Sequence, residues 1–268
     1  MKLSRITALT SSLVLGVVLA LTGAAAAQAA PAAAVDYVAL GDSYSSGVGA
    51  GAYDSSSGNC KRTPRAYPAL WAAANAPTTF AFTACSGART GDVTAGQLGP
   101  LNAATDLVSI SIGGNDAGFA DVMTTCVLQS EATCLNRVAQ ARSYVDSTLP
   151  GNLNSVYGAI RSKAPSARVV VLGYPRFYQL NGTCVVGLSE NERAAINAAS
   201  DHLNSVTSKR AAAHGFTFAS VAGAFTGHEI CSGNAWLHSV NWLNIGESYH
   251  PTAAGQSGGY LPVFTSAA

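Results

Sequence analysis

The sequence predicts a single α/β domain built on a mainly parallel sheet, and three observations carry that expectation. Short β-like runs alternate with longer helical ones along most of the chain. Two of the runs, Leu107–Ile112 (LVSISI) and Arg168–Leu172 (RVVVL), are apolar at most positions, as strands covered on both faces are. The chain has 268 residues, and without an expected leader it still has the length for one sizeable hydrophobic core.

The leader comes first. Lys2 and Arg5 precede an apolar stretch from about Leu13 to Leu21, followed by an Ala-rich segment. This is the pattern of a secretory signal peptide, shorter than the roughly 20 apolar residues of a membrane span. Ala27-Gln28-Ala29 and Ala32-Ala33-Ala34 both fit a small-x-small cleavage site. The mature chain is expected to begin between Ala30 and Val35, with Val35 favoured. The domain division is therefore 1–34 as leader and 35–268 as the mature folded domain, and the protein is expected outside the cell without a stable membrane anchor.

The mature chain opens with a candidate strand, Asp36–Leu40, that ends in Gly41-Asp42-Ser43. Pro64–Asn75 reads as a helix with proline near its start, and Thr79–Thr83 as a second strand. Leu107–Ile112 runs into Gly113-Gly114-Asn115-Asp116, after which a helical stretch begins. Leu135–Ser147 and Leu153–Ala164 are further helical stretches, and Arg168–Leu172 is closed by Gly173 and Pro175. Ser189–Ala213 is the longest helix. It opens with the capping-box spacing of Ser189 and Glu192 and ends at Gly215. Phe216–Val221 is a last strand, and a loop-rich stretch leads to a final helix near Pro251–Tyr260.

Charge and cysteine content narrow the function. Charged residues make up 11% of the sequence. Loss of the leader removes two of the 15 basic residues and none of the 14 acidic ones, leaving a formal net charge of −1. That surface offers no basic footprint for nucleic acid. All six cysteines lie after the leader, and an even number in an exported chain reads as three disulfides, with 15 possible connectivities. No two cysteines have the close spacing of a zinc knuckle, and the five histidines do not cluster, so no metal is expected.

In open α/β sheets, ligands bind at the carboxyl ends of strands. Three turns follow predicted strands: Gly41-Asp42-Ser43-Tyr44-Ser45, Cys85-Ser86-Gly87-Ala88-Arg89 and Gly113-Gly114-Asn115-Asp116. They supply a hydroxyl on a tight turn, a backbone N–H beside glycine and a side-chain amide, which are the parts acyl transfer needs. Gly-Asp-Ser alone is common turn chemistry. The sharper signal is Tyr249-His250-Pro251, where a loop enters a small-residue helix with Glu247 three residues upstream. His202, His214, His228 and His238 lack that combination. Gly255-Gln256-Ser257-Gly258-Gly259 fits the nucleophile-elbow pattern but has no strand before it and follows the histidine, so Ser257 is read as a decoy.

Four separated blocks, Gly41-Asp42-Ser43, Gly87, Gly114-Asn115-Asp116 and His250, resemble in order and spacing those of the SGNH hydrolases, also called the GDSL family of esterases and lipases. The likeness spans almost the whole mature chain and is greatest to secreted, disulfide-containing bacterial lipases. It implies a three-layer α/β/α domain with about five strands. It implies Ser43 as nucleophile, His250 as general base and acid, and an oxyanion hole from Ser43, Gly87 and Asn115, without a cofactor. It also favours the pairing Cys60–Cys85, Cys126–Cys134 and Cys184–Cys231. Two departures stand out. Tyr44 replaces the family's leucine, and Glu247 stands where an aspartate usually precedes the histidine. The group orienting His250 is then either the main-chain carbonyl of Ser248, which is favoured, or the Glu247 side chain.

The expected function is hydrolysis of acyl esters, lipids included, by a monomer showing little interfacial activation; phospholipids and thioesters are further possible substrates. A carbohydrate acetyl esterase is the alternative within the same site. A secreted binding domain that keeps the fold without activity is the rival of another class, opposed by the joint presence of serine, glycine, asparagine and histidine.

Overall fold

The computed structural model describes residues 35–268; the expected leader, 1–34, lies outside the described residues. Five strands form one sheet: β1 (Asp36–Gly41), β2 (Thr79–Phe82), β3 (Leu107–Ser111), β4 (Arg168–Leu172) and β5 (Thr217–Ala219). Their order is β2-β1-β3-β4-β5, and every neighbouring pair is parallel. From β1 the chain moves first to one side, adding β2, and then to the other, adding β3, β4 and β5. The order therefore reverses between β1 and β3, and their carboxyl ends form the switch point at which such sheets bind ligands.

Helices flank the sheet. α2 (Tyr67–Asn75) and α8 (Leu261–Ala267) pack on each other, α2 also on β2, and α8 on β4 and β5. The other set comprises α3 (Thr90–Gly96), α4 (Phe119–Leu128), α5 (Glu131–Ser147), α6 (Leu149–Lys163) and α7 (Glu190–Ala213), joined chiefly through α5 and α6. α1 is a single turn, Ser43–Ser46, set on β1 and β3. β3 is buried at every position and β4 at all but its first, which is why both run as uninterrupted apolar segments in the sequence.

Several boundaries differ from the sequence expectation for local reasons. α5 begins at Glu131 rather than Leu135 because the Ser130 hydroxyl caps it by accepting from Thr133 N–H. α6 begins at Leu149 because Pro150 sits in its first turn, where a missing N–H costs nothing. α3, a glycine-bearing TGDVTAG segment, carries little helix signal. At the C-terminus the expected helix starts late. Pro251 pairs with Leu237 in an isolated antiparallel bridge and Thr252 N–H donates to Trp236 O, so the backbone there is extended. A π-helical stretch, Gly255–Tyr260, then leads into α8, where Pro262 lacks the N–H that would continue the α-helical ladder.

Cys60 is bonded to Cys85, Cys126 to Cys134 and Cys184 to Cys231. The first ties the segment after α1 to the turn holding Gly87, the second joins α4 to α5, and the third links two loops over the α7 side of the domain. No helix among the described residues is long and apolar enough to cross a membrane.

Candidate active site

β1 and β3 run in register to Gly41 and Ser111, and Gly41 has no room for a side chain: a Cβ there would stand 2.5 Å from Ser111 O. With φ of +124° as well, this position demands glycine and lets the chain turn sharply off the strand. Asp42 then caps α1, its carboxylate accepting from Tyr44 N–H at 3.0 Å. Ser43 is thereby placed as the first residue of a short helix at the switch point.

The Asp42 carboxylate does more than cap. It also accepts from the Ser111 hydroxyl, at 2.7 Å, and from the Tyr174 phenol, so one buried group ties the ends of β1 and β3 to the residue two past β4. Burial pushes its pKa up to about 6, and the three hydrogen bonds, led by that of Tyr174, oppose the rise only in part.

His250 reaches the same point from the far end of the chain. Its Nε2 lies 2.7 Å from Ser43 Oγ, and its Nδ1 lies 3.0 Å from the carbonyl of Ser248. A carbonyl only accepts, so Nδ1 carries the proton in the neutral ring and Nε2 presents a lone pair to the hydroxyl. Burial pushes the imidazole down to about 4, with His238 and Lys61 adding to the fall and the backbone bonds of Ser248 and Glu247 opposing it. At neutral pH this is an uncharged base facing a hydroxyl, a pair able to move a proton. The Glu247 carboxylate is engaged elsewhere, accepting from the Tyr53 hydroxyl at 2.7 Å.

The loop before His250 is strained and over-determined. Tyr249 has φ of +66°, a left-handed conformation that costs a tyrosine about 1 kcal/mol or more. Three hydrogen bonds hold it: Tyr249 N–H to His238 O at 2.9 Å, His238 N–H to His250 O at 3.0 Å, and the Tyr44 hydroxyl to Tyr249 O at 2.7 Å. Tyr44, adjacent to Ser43 in the chain, therefore links the hydroxyl-bearing turn to the histidine loop, and its ring lies 5.3 Å from the imidazole. Gln256 adds a second link, donating to Tyr44 O at 3.0 Å and accepting from Tyr67 N–H at 2.9 Å.

Gly87 and Asn115 line the same cleft as Ser43 and His250. The Asn115 amide donates one N–H to Ala88 O at 3.0 Å, which orients it and leaves its second donor. Asp116 accepts from Thr90 N–H and, at 2.6 Å, from the Thr90 hydroxyl, so the turns after β2 and β3 are bound together. Gly87 has φ of +79°, the conformation that turns its backbone at the cleft edge. The cleft holds about 450 Å³, and Phe119, Met123, Val127, Leu128, Trp242 and Ile245 give it largely apolar walls.

Ser43, Gly87, Asn115, Ser248 and His250 thus lie together, whereas Ser257 is exposed with its hydroxyl turned to Ala254 O. Ser111 and Tyr174 were not singled out in the sequence, and Tyr44 and Tyr249 only as chain neighbours of Ser43 and His250. Tyr174 had a usable signal, since it follows the end of the strand beside β3. Among the described residues, no three His, Cys, Asp or Glu side chains are grouped so as to hold a metal ion.

The chain is similar over most of its length to known proteins. A model of the GDSL-like lipase/acylhydrolase family matches residues 39–257. Lipase 1 of Streptomyces coelicolor is 72% identical over 100% of both chains. The crystal structure of phospholipase A1 from Streptomyces albidoflavus NA297 is 72% identical, with a TM-score of 0.86 over 88% of this chain and 100% of that one. An extracellular lipase from Streptomyces rimosus superposes equally well, at 0.86, with 68% identity and the same coverage.

Proposed function

The chain belongs to the GDSL-like lipase/acylhydrolase family, and from that membership we propose how it works as a lipase, a carboxylic ester hydrolase. Ser43 is the nucleophile. His250 Nε2 takes its proton as Oγ attacks the ester carbonyl carbon, and the resulting oxyanion is held by the backbone N–H groups of Ser43 and Gly87 and the Asn115 amide. Collapse breaks the bond to the alcohol oxygen, which leaves with the proton held by His250. A water molecule, deprotonated by the same nitrogen, then attacks the acyl-enzyme, and the carboxylic acid departs with Ser43 reprotonated.

The observation that carries this reading is the 2.7 Å contact between Ser43 Oγ and an imidazole whose other nitrogen is held by the Ser248 carbonyl. On this reading a main-chain carbonyl stands where a triad has its carboxylate, and Glu247 braces the loop through Tyr53 instead. The apolar cleft takes the acyl chain of a lipid ester. Phospholipid is included among the substrates, because the similar Streptomyces albidoflavus protein is a phospholipase A1. Three disulfides, a leader over 1–34 and the likeness to an extracellular lipase support export of the mature chain.

The test is a p-nitrophenyl ester ladder from acetyl to palmitoyl, run on the purified protein and Ser43→Ala in parallel. Turnover of medium and long chains by the parent, lost in the variant, supports the assignment. Turnover confined to acetyl moves the substrate to acetylated sugars, and undiminished turnover by Ser43→Ala removes Ser43 as nucleophile.

A further inference from the structure

Single apolar side chains scattered over a surface need no explanation, but a contiguous exposed group marks an interaction site. Among the described residues eight large apolar side chains are exposed, and six of them fall on three segments around the cleft mouth: Leu128 (61% exposed), Val185 (94%), Val186 (81%), Trp242 (71%), Leu243 (94%) and Ile245 (62%). Leu128, Trp242 and Ile245 each present one side to the cleft that contains Ser43 and His250. Val186 and Trp242 together line the adjoining depression, which shares Val127, Val240 and Tyr249 with the cleft wall. Val185 and Leu243 are their neighbours in the chain.

For Trp242, Leu243 and Ile245 the exposure follows from hydrogen bonding within the loop 241–248. Asn241 N–H donates to Ser248 Oγ at 2.8 Å, and the Asn241 carboxamide oxygen accepts from Leu243 and Asn244 N–H at 3.2 and 3.1 Å. Glu247 N–H donates to Asn244 O at 2.8 Å, and the Glu247 carboxylate is fixed by Tyr53. The loop is closed on itself at the base, where Ser248 holds His250, so its apolar side chains are turned outward.

We propose that this rim is a docking surface for the apolar layer of a lipid aggregate, through which a lipid ester enters the cleft without crossing water. The proposal rests on the lipid-ester reading above and adds where the aggregate sits. The six side chains are uncharged, so the attraction is to the acyl layer and persists at high salt, unlike attraction to anionic headgroups. They are already exposed, so docking needs no segment to open, and binding is separate from any activation of the catalytic residues.

The test uses phosphatidylcholine vesicles and the mature protein carrying Ser43→Ala, which prevents turnover during binding. Co-sedimentation with vesicles is expected, together with a blue shift of tryptophan emission that disappears in Trp242→Phe, since Trp71 is buried and Trp236 partly so. Adding Leu243→Asp and Val185→Asp, two positions outside the cleft lining, is expected to weaken partitioning at least about tenfold. In the Ser43 parent background the same pair should leave hydrolysis of soluble p-nitrophenyl butyrate unchanged while slowing acyl release from vesicles. Failure of the protein to partition, or equal partitioning by the Asp variant, overturns the proposal. So does a concentration-dependent dimer that Leu243→Asp dissociates in a protein that ignores vesicles, which would make the rim a self-interface. A protein that docks but cleaves no lipid ester overturns the catalytic reading and leaves the surface standing.

Discussion

Asp42→Asn separates what the buried carboxylate does for the site from what it does for stability. In the folded protein its pKa is pushed from 3.8 up to about 6, chiefly by burial. A raised carboxyl favours folding fully below its unfolded value, and that contribution is lost as pH rises through the folded value. That rise corresponds to about 3 kcal/mol, present at pH 3 and absent at pH 7 and above. Asparagine has the same shape and does not titrate. Relative to the parent, Asp42→Asn should therefore gain about 3 kcal/mol between acid and neutral pH, whatever constant offset comes from the altered bond to Tyr174. Urea titrations of both proteins at pH 3.5 and pH 7.5, followed by far-UV circular dichroism, read this difference with all other groups cancelling. Activity should fall nonetheless, because the amide cannot accept from Tyr44, Ser111 and Tyr174 together and α1 loses its aim. A stability difference independent of pH would refute the reasoning, since the carboxyl would then titrate as an ordinary surface group.

The remaining predictions concern the reacting groups. With the imidazole held down to about 4, the residual kcat/KM of Asp42→Asn, which lacks the carboxyl titrating near 6, should stay level at pH 5.5, where an unperturbed histidine would be about nine-tenths protonated; an acid limb near pH 6.5 in that variant would contradict the described environment. Asn115→Ala should lower kcat about 10²–10³-fold with KM little changed, and an undiminished kcat in that variant would remove the oxyanion role. Glu247→Gln, which keeps an acceptor for the Tyr53 hydroxyl, should retain most of kcat, whereas a loss above about a hundredfold would make Glu247 the group that orients His250.

Much of this was legible in the sequence, because the signals were local. β3 and β4 are apolar from end to end because both faces are covered, and the α7 capping box of Ser189 and Glu192 forms as its spacing suggests. The turns that end β1 and β3 carried their own residue types. What stayed hidden depends on contacts without periodicity. The Tyr44 hydroxyl bonds a carbonyl 205 residues away, and the Tyr174 phenol reaches Asp42 across 132. Their places beside Ser43 and after β4 were visible in the sequence, but the partners of their hydroxyls were not. Between Ser248 and Glu247 the sequence favoured the Ser248 carbonyl, but the reason the Glu247 carboxylate is occupied, a hydrogen bond from Tyr53, is distant in sequence. The delayed C-terminal helix has the same cause, since the bridge between Leu237 and Pro251 is a tertiary contact.

The account stands on Ser43 being an activated hydroxyl, and an organophosphonate ester tests that without reference to any substrate. The protein, incubated with a p-nitrophenyl phosphonate, should release p-nitrophenol in one equivalent, lose esterase activity in step, and carry the added mass on the peptide containing Ser43. His250→Ala should slow labelling severely while leaving the fold intact. Labelling on another residue, on Ser257 above all, or retained activity after full labelling of Ser43, would contradict the account.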